Sequence, residues 1–402
     1  MKYTMNIVIA HFNSCYVRMP GGVEKVTCSL ANAMVARGHS VTILYRESKE
    51  GHAYFPLDRR VPEHNILYEK GKYIIQDKLP MKVRIKREFF RLFDAKKAHE
   101  INAEAKGKSY GPSIRKWLDR LQPDVIISTS MPSTKYVIEN AGSEVPVITM
   151  IHSQPAVQFA EISASEQRAV AKGAGIQILL PSGINVTKKC FPGLPIHVIG
   201  NAVDIPEKPV NLQGEKERYR IVSVGVLNNN KNQKLLAEAF AGLAESFPQW
   251  ELEFWGNNTG KYAKETEQYI RNRHLENRIL LKGVSKNVNE DIYERADIYV
   301  IPSKKEGFPL SLTEAMGAGI PAVGLRTCPG VNELIRDGET GYLAESAAES
   351  VQEKLKYLMT DQALRVRFGA AGRKSMEQYA SEKIWDQWEK LLRELAEKGK
   401  KA

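Results

Sequence analysis

Short apolar runs alternate along this chain with longer amphipathic segments. "NIVIA", "VTILY", "DVIISTS", "PVITMIH" and "IQILL" are aliphatic on both faces, the pattern of strands buried between helices. After "NAVDIPEKPVNLQGEKERY", a Pro-, Gly- and charge-rich stretch with the composition of a linker, a second series begins: "RIVSVG", "WELEFWG", "RILLKG", "DIYVIPS" and "IPAVGL". Such alternation predicts α/β architecture with parallel sheets and right-handed crossovers. Two series predict two Rossmann-like domains facing each other across a cleft, residues 1–204 and 205–380. Residues 381–402, "SEKIWDQWEKLLRELAEKGKKA", place Ile384, Trp385, Trp388, Leu391, Leu392 and Leu395 on one helical face. That face needs a partner, and the expectation is a C-terminal helix packing back toward the N-terminal domain.

Composition narrows this picture. A length of 402 residues suits two domains, and the hydrophobic fraction of 43% suits soluble cores. No apolar run is long enough to span a bilayer, so a cytoplasmic protein is expected, with the cytoplasmic membrane face as a peripheral location. Cys15, Cys28, Cys190 and Cys328 are scattered without a C-x-x-C pair, which predicts reduced thiols and no zinc site. The net charge of +11 is uneven: residues 69–116 carry fourteen Lys/Arg against six Asp/Glu. Within residues 78–97, Ile85, Phe89, Leu92 and Phe93 recur at helical spacing among Lys82, Arg84, Lys86, Arg87, Arg91, Lys96 and Lys97. This suits a helix lying on an anionic membrane, or equally a core-packed helix with a solvated basic face. No recognised nucleic-acid-binding module accompanies the charge, so nucleic acid is not an expected partner.

The densest chemistry lies in "SKKEGFPLSLTEAMGAGIPAVG", residues 303–324. It reads as the end of a strand, a loop carrying Glu306, and a helix carrying Glu314. Backbone N–H groups around Phe308 to Ser311 would face the carboxyl end of the sheet, where anions bind. Two carboxylates beside such an anion site suit the hydroxyls of a sugar or ribose. The pattern therefore suggests a nucleotide-sugar, with a helix cap and two surface glutamates as the alternative.

"EGFPLSLTEAMGAGIPAVG" resembles the E-x7-E signature of family 4 retaining glycosyltransferases, which have the GT-B fold. Five further stretches are similar to that family in the same order: "PGGVEKVTCSLANAMVARGHSVTIL", "VITMIHSQ", "IGNAVD", "VSVGVLNNNKNQKLLAEAF" and "CPGVNELIRDGETGYL". The resemblance implies that Glu314 holds the donor ribose and that Glu306 binds the transferred sugar. It implies that Lys231 neutralises the diphosphate and that His152 faces the donor sugar. Gly21, Gly22, Gly225 and the backbone of Gly307, Phe308, Pro309, Leu310 and Ser311 would approach the donor.

The implied reaction moves a hexose-type sugar from a nucleotide diphosphate, UDP favoured over GDP, to a hydroxyl with retention. The acceptor would be a saccharide, free or lipid-linked, in polysaccharide or glycolipid assembly. No D-x-D motif occurs, so no metal and no other cofactor is expected. One position departs from the family: Val226 stands where an arginine usually precedes the lysine, with Lys234, Lys304, Lys305 and Arg326 as candidate substitutes. That departure keeps open a nucleotide-sugar-binding homologue without transferase activity. A phosphorylase or epimerase on the same fold is the third reading.

Overall fold

The computed structural model describes residues 3–12, 16–18, 20–75 and 79–401. Cys15, and residue 78 at the start of the basic 78–97 segment, lie outside the described residues; Cys28, Cys190 and Cys328 are free thiols. The chain forms two compact units: Met1–Gly200 together with Ile384–Ala402, and Asn201–Lys383.

In unit 1 the strands are β1 (Asn6–His11), β2 (Ser40–Tyr45), β3 (Glu63–Asn65), a small hairpin of β4 (Tyr68–Glu69) and β5 (Lys72–Tyr73), β6 (Val125–Ser128), β7 (Val147–Met150), β8 (Gly175–Ile178) and β9 (Ile196–Val198). Seven of them make one parallel sheet in the order β3-β2-β1-β6-β7-β8-β9. Its helices include α1 (Gly22–Ala36), α2 (Met81–Arg91) and α3 (Ala95–Leu121). Chain direction across the sheet reverses at β1, whose neighbours are β2 and β6. A crevice at the carboxyl ends of β1 and β6 is therefore the expected ligand position.

The C-terminal helix (Ser381–Lys401) contributes its apolar face to this unit from Ile384 onward. Ile384, Trp388, Leu391, Leu392 and Leu395 are each at most 4% exposed, as the sequence pattern required. At its polar edge Glu389 meets Arg37 at 3.4 Å and His39 at 3.4 Å, while Arg393 Nη1 donates to the Tyr3 carbonyl at 2.7 Å.

Unit 2 holds β10 (Tyr219–Val224), β11 (Trp250–Trp255), β12 (Ile279–Gly283), β13 (Ile298–Ile301), β14 (Ala322–Leu325) and β15 (Gly341–Ala344), a parallel sheet in the order β12-β11-β10-β13-β14-β15. The reversal falls between β10 and β13. Two of its helices, α4 (Gln233–Ala241) and α5 (Leu310–Gly317), begin on the segments that follow those two strands.

The stretch read as a linker is strapped onto unit 2. Val203 N–H donates to the Tyr379 carbonyl, Val210 N–H to Ala318, and Arg373 donates to the carbonyls of Gly317 and Pro206. Gln362 likewise donates to the carbonyls of Leu212 and Gly214. Prolines leave carbonyls without a local ladder, and side chains from neighbouring helices satisfy them. Three edge strands, β3, β9 and β15, were not read from the sequence, nor was the β4–β5 hairpin. Each of the three has only three or four residues and carries a His, Gly or Tyr, too short and mixed for a clear period.

Candidate active site

In unit 2 the loops after β10 and β13 meet at the topological reversal. Three asparagines build the contact. Asn228 Oδ1 accepts from Lys231 N–H at 2.9 Å, and Asn230 exchanges backbone and side-chain bonds with the facing loop. Its carbonyl accepts from Lys304 N–H at 2.8 Å, and its Nδ2 donates to the Lys305 carbonyl at 3.0 Å. Asn232 then takes a left-handed conformation (φ 56°) and opens α4, a turn that asparagine tolerates. Gln233, 1% exposed, donates to the Val226 carbonyl at 3.2 Å and pins the glycine turn from below.

This zipper brings Lys231 and Glu306 together. Lys231 Nζ donates to Glu306 Oε1 at 2.7 Å, with both side chains partly shielded. Gly225 lies beneath them: a Cβ there would sit 3.3 Å from the Lys231 side chain. On the other side, Gly330 has φ +81°, and a Cβ would lie 2.7 Å from the Gly307 carbonyl oxygen and 2.8 Å from that of Glu306. Only glycine lets the "CPGVNE" turn press against the Glu306 loop.

Glu314 lies in α5, and Tyr293 Oη donates to its Oε2 at 2.9 Å. Burial, with the Glu314 charge beside it, pushes the Tyr293 hydroxyl far above its usual range, so it remains a proton donor to the carboxylate. Tyr299, also buried and raised, donates to Ser311 Oγ at 2.7 Å and feels the charges of both Glu306 and Glu314. The two glutamates therefore share one wall, with Tyr299 under it. Phe308 is 5% exposed and packs edge-on against Tyr379, so its side chain anchors the loop. Pro309 caps α5 and carries no N–H, so among the residues quoted for backbone contact it offers shape and no donor. The N–H groups at the helix start that remain for an anion come from its neighbours Leu310 and Ser311. Cys328, behind Glu306, is buried and its thiol is pushed up to about 12 by desolvation, which makes it unreactive.

Val226 is 52% exposed, and the candidate bases are directed to other partners or to solvent. Lys304 Nζ donates to Asn229 Oδ1 at 2.7 Å, and Arg326 is held by Asp337 and by Glu345. Lys234 lies over the Tyr269 ring at 6.0 Å, and Lys305 is exposed.

In unit 1 the carboxyl ends of β1, β6 and β7 gather a second group. His152 follows β7. Its Nε2 is buried without a hydrogen-bond partner among the described residues, and desolvation, then the nearby His11, lower its pKa to about 4. His11, fully buried, meets Glu24 Oε1 through Nε2 at 3.4 Å and Thr129 Oγ1 through Nδ1 at 3.1 Å. Glu24, in the first turn of α1, lies so close to Gly21 that a Cβ would sit 1.9 Å from Oε2. A side chain at Gly21 would therefore displace the Glu24 carboxylate, and Gly22 beside it is exposed. His11 and Glu24 were not singled out from the sequence. The acidic residue after "GGV" was visible, but not its burial.

Two sequence-family models match the chain: that described as "Glycosyltransferase Family 4" over residues 20–175, and that described as "Glycosyl transferases group 1" over residues 204–375. Between them they span most of its length. An uncharacterized glycosyltransferase of Haemophilus influenzae is 30% identical over 185 residues, 46% of this chain and 52% of that protein. The chain thus matches about half the length of that relative. An amylovoran biosynthesis glycosyltransferase of Erwinia amylovora is 22% identical over 381 residues, 92% of this chain and 96% of that protein. Among solved structures, an Anabaena HepE protein in complex with UDP and glucose superposes with a TM-score of 0.69 at 17% identity, covering 97% of this chain and 99% of that one.

Proposed function

The chain belongs to the family 4 glycosyltransferases of the GT-B fold, and on that premise we propose that it transfers a hexose-type sugar from a nucleotide diphosphate to a hydroxyl of a saccharide acceptor, with retention. The observation that carries this reading is the 2.7 Å Lys231–Glu306 pair at the reversal of the unit 2 sheet. A diphosphate arriving over α5 competes with Glu306 for the Lys231 ammonium. The released carboxylate then accepts hydroxyls of the sugar, while Glu314, oriented by Tyr293, accepts those of the ribose. Charge on the departing diphosphate is met by Lys231 and by the amide dipoles at the start of α5, with no metal in the scheme. The C1–O bond to phosphate breaks, the acceptor oxygen bonds C1 on the same face, and the acceptor proton passes to the departing phosphate oxygen. For unit 1, His152 is proposed as a neutral imidazole for a sugar hydroxyl, and Gly21 and Gly22 as backbone that a substrate can approach.

UDP is the favoured nucleotide, in line with the UDP held by the Anabaena protein. The proposed role is in polysaccharide or glycolipid assembly, with the biosynthetic role named for the Erwinia relative as support by analogy, and the proposed place is the cytoplasmic side of the membrane. A lipid-linked acceptor is supported by α2 and the turn after it, where Met81, Ile85, Phe89, Leu92 and Phe93 are 60–78% exposed amid basic residues. Among the described residues no helix is long and apolar enough to cross a membrane, so this contact would be peripheral.

Release of UDP from UDP-sugars is the direct assay. Lys231→Ala and Glu306→Ala should each lower kcat/KM by about 10²–10³-fold. Wild-type rates in both variants would remove the site assignment. A second reading, binding without transfer, is favoured by Val226, an exposed valine where an arginine was expected. It requires UDP-sugar binding by calorimetry with no turnover across an acceptor panel.

A further inference from the structure

We propose that unit 1 carries a saccharide-binding pocket, separate from the residues assigned above, that holds a sugar unit of the acceptor remote from the one that reacts. The pocket lies at the edge of the sheet, where Tyr45 ends β2 and Asn65 ends β3. β3 is four strands from β7, the strand that His152 follows, or about 19 Å at the usual strand spacing. The opposite wall is α3, whose Ser113, Lys116, Trp117 and Arg120 share one helical face. The β4–β5 hairpin borders a third side through Tyr68, Glu69 and Lys70. Its turn holds Lys70 (φ 50°) and Gly71 (φ 73°) in the left-handed region, the two-residue form that matches strand twist. The cavity measures about 250 Å³, room for about eight water volumes and so for one sugar ring.

Its walls are aromatic and its charge is balanced. Trp117 stacks on His64 with ring centres 4.1 Å apart and planes 17° from parallel, and the Tyr45 and Tyr68 rings complete the lining. Flat surfaces of this kind, with a few polar groups around them, suit the C–H face of a pyranose. Among the described residues that line the cavity, three carboxylates (Glu50, Glu63 and Glu69) stand against three cations (Lys70, Lys116 and Arg120). Burial, then the Arg120 charge, lowers the pKa of His64, which is therefore neutral at pH 7. A strongly charged ligand of either sign would meet three like charges, so the balance favours a neutral one. Half of these groups serve the protein itself. Glu63 accepts from Tyr16 Oη at 2.8 Å and from Ala53 N–H at 3.0 Å, and Lys116 is paired with Glu69. The other three are open. Glu50, Lys70 and Arg120 are exposed and have no ion-pair partner among the described residues; Arg120 lies over the Trp117 ring at 5.4 Å. A carboxylate acceptor with ammonium and guanidinium donors around an aromatic wall is the set that the vicinal hydroxyls of a neutral sugar require.

That the sugar belongs to the acceptor rests on the glycosyltransferase reading; that the pocket takes a saccharide does not. The test therefore uses binding and no turnover. The full chain is labelled with 5-fluorotryptophan, and the Trp117 signal, one of five, is assigned with Trp117→Phe. Methyl glycosides of glucose, galactose, mannose and N-acetylglucosamine are titrated while that signal is followed by fluorine NMR. A saturable shift is expected with at least one of them. Glu50→Ala and Arg120→Ala, both at exposed positions and so expected to fold, should each weaken it about tenfold. Lys231→Ala in the other unit should leave it unchanged. The octyl form of the glycoside that binds, used below its micelle concentration, separates the sources. Binding no tighter than that of the methyl form points to a saccharide chain, and tighter binding to a lipid-linked sugar; either supports the pocket. No Trp117 response to any glycoside, a response that both variants alter less than twofold, or an equal response to inorganic phosphate overturns the proposal. Absence of transfer in the assay above would remove the acceptor label while leaving this measurement standing.

Discussion

At the scale of single residues, the protein balances some charges by pairing and removes another by burial. Lys231 and Glu306 neutralise each other across two loops, whereas His152 sits neutral in a desolvated position beside His11 and Glu24. The second case has a pH consequence. The folded pKa of about 4 lies below the unfolded value of 6.5, so between those pH values the unfolded chain binds more protons. Stability therefore falls as pH drops from about 6.5 toward 4, and His152 contributes nothing to this slope above 6.5. Urea unfolding at pH 7.5 and pH 5 should show a larger loss for the wild type than for His152→Gln. Equal losses would mean that His152 is hydrated and charged at pH 5. Glu306, Glu314, Lys231 and His152 were legible in the sequence because each stands in a short local motif. Tyr293, Tyr299, Asn230 and His11 were not. The Asn230–Lys305 bond spans 75 positions, and a lone Tyr carries no sign of which carboxylate or hydroxyl it will meet.

At the scale of elements, α2 is the least explained by packing. Val83 and Phe90 turn inward, while Met81, Ile85 and Phe89 stay exposed in line with Leu92 and Phe93. The sequence pattern allowed a membrane face or a core face, and exposure favours the first. Sedimentation with phosphatidylglycerol vesicles at low salt should bring the wild type down. Neutralising Lys82, Arg84, Lys86 and Arg87 should weaken binding by about 1 kcal/mol each, and less as salt rises. Ile85→Glu with Phe89→Glu should abolish it at any salt. A wild type that stays in the supernatant at low salt would leave α2 without a membrane role. The C-terminal helix is the opposite case: six apolar positions on one face fixed both its type and its need for cover.

For the whole molecule, the donor assignment makes a prediction about stability. A nucleotide that binds only the folded chain stabilises it by about 2.7 kcal/mol at a hundredfold excess over Kd. Each kcal/mol moves Tm by roughly 2–4 °C for a unit of this size. UDP should therefore raise Tm by several degrees, with GDP and ADP giving less, and Lys231→Ala should reduce the UDP shift. An equal response to all three would argue against a UDP-specific site.

By itself the sequence determined the fold class, the two strand–helix series, the apolar face of the last helix and the identity of the motif residues. All of these follow from local periodicity or from short spacings that survive without knowledge of the fold. Tertiary structure alone decided which loops would touch. It brought Asn228–Asn230 against the Glu306 loop, pressed Gly330 onto the Gly307 carbonyl and buried Glu24 under Gly21. It also gathered Arg46, the His99–Lys106 face of α3 and Glu166 around one cavity from three separate stretches of chain. Burial and long-range hydrogen bonds set these contacts. Strand order in a parallel sheet, rather than distance along the chain, determines which carboxyl ends are neighbours.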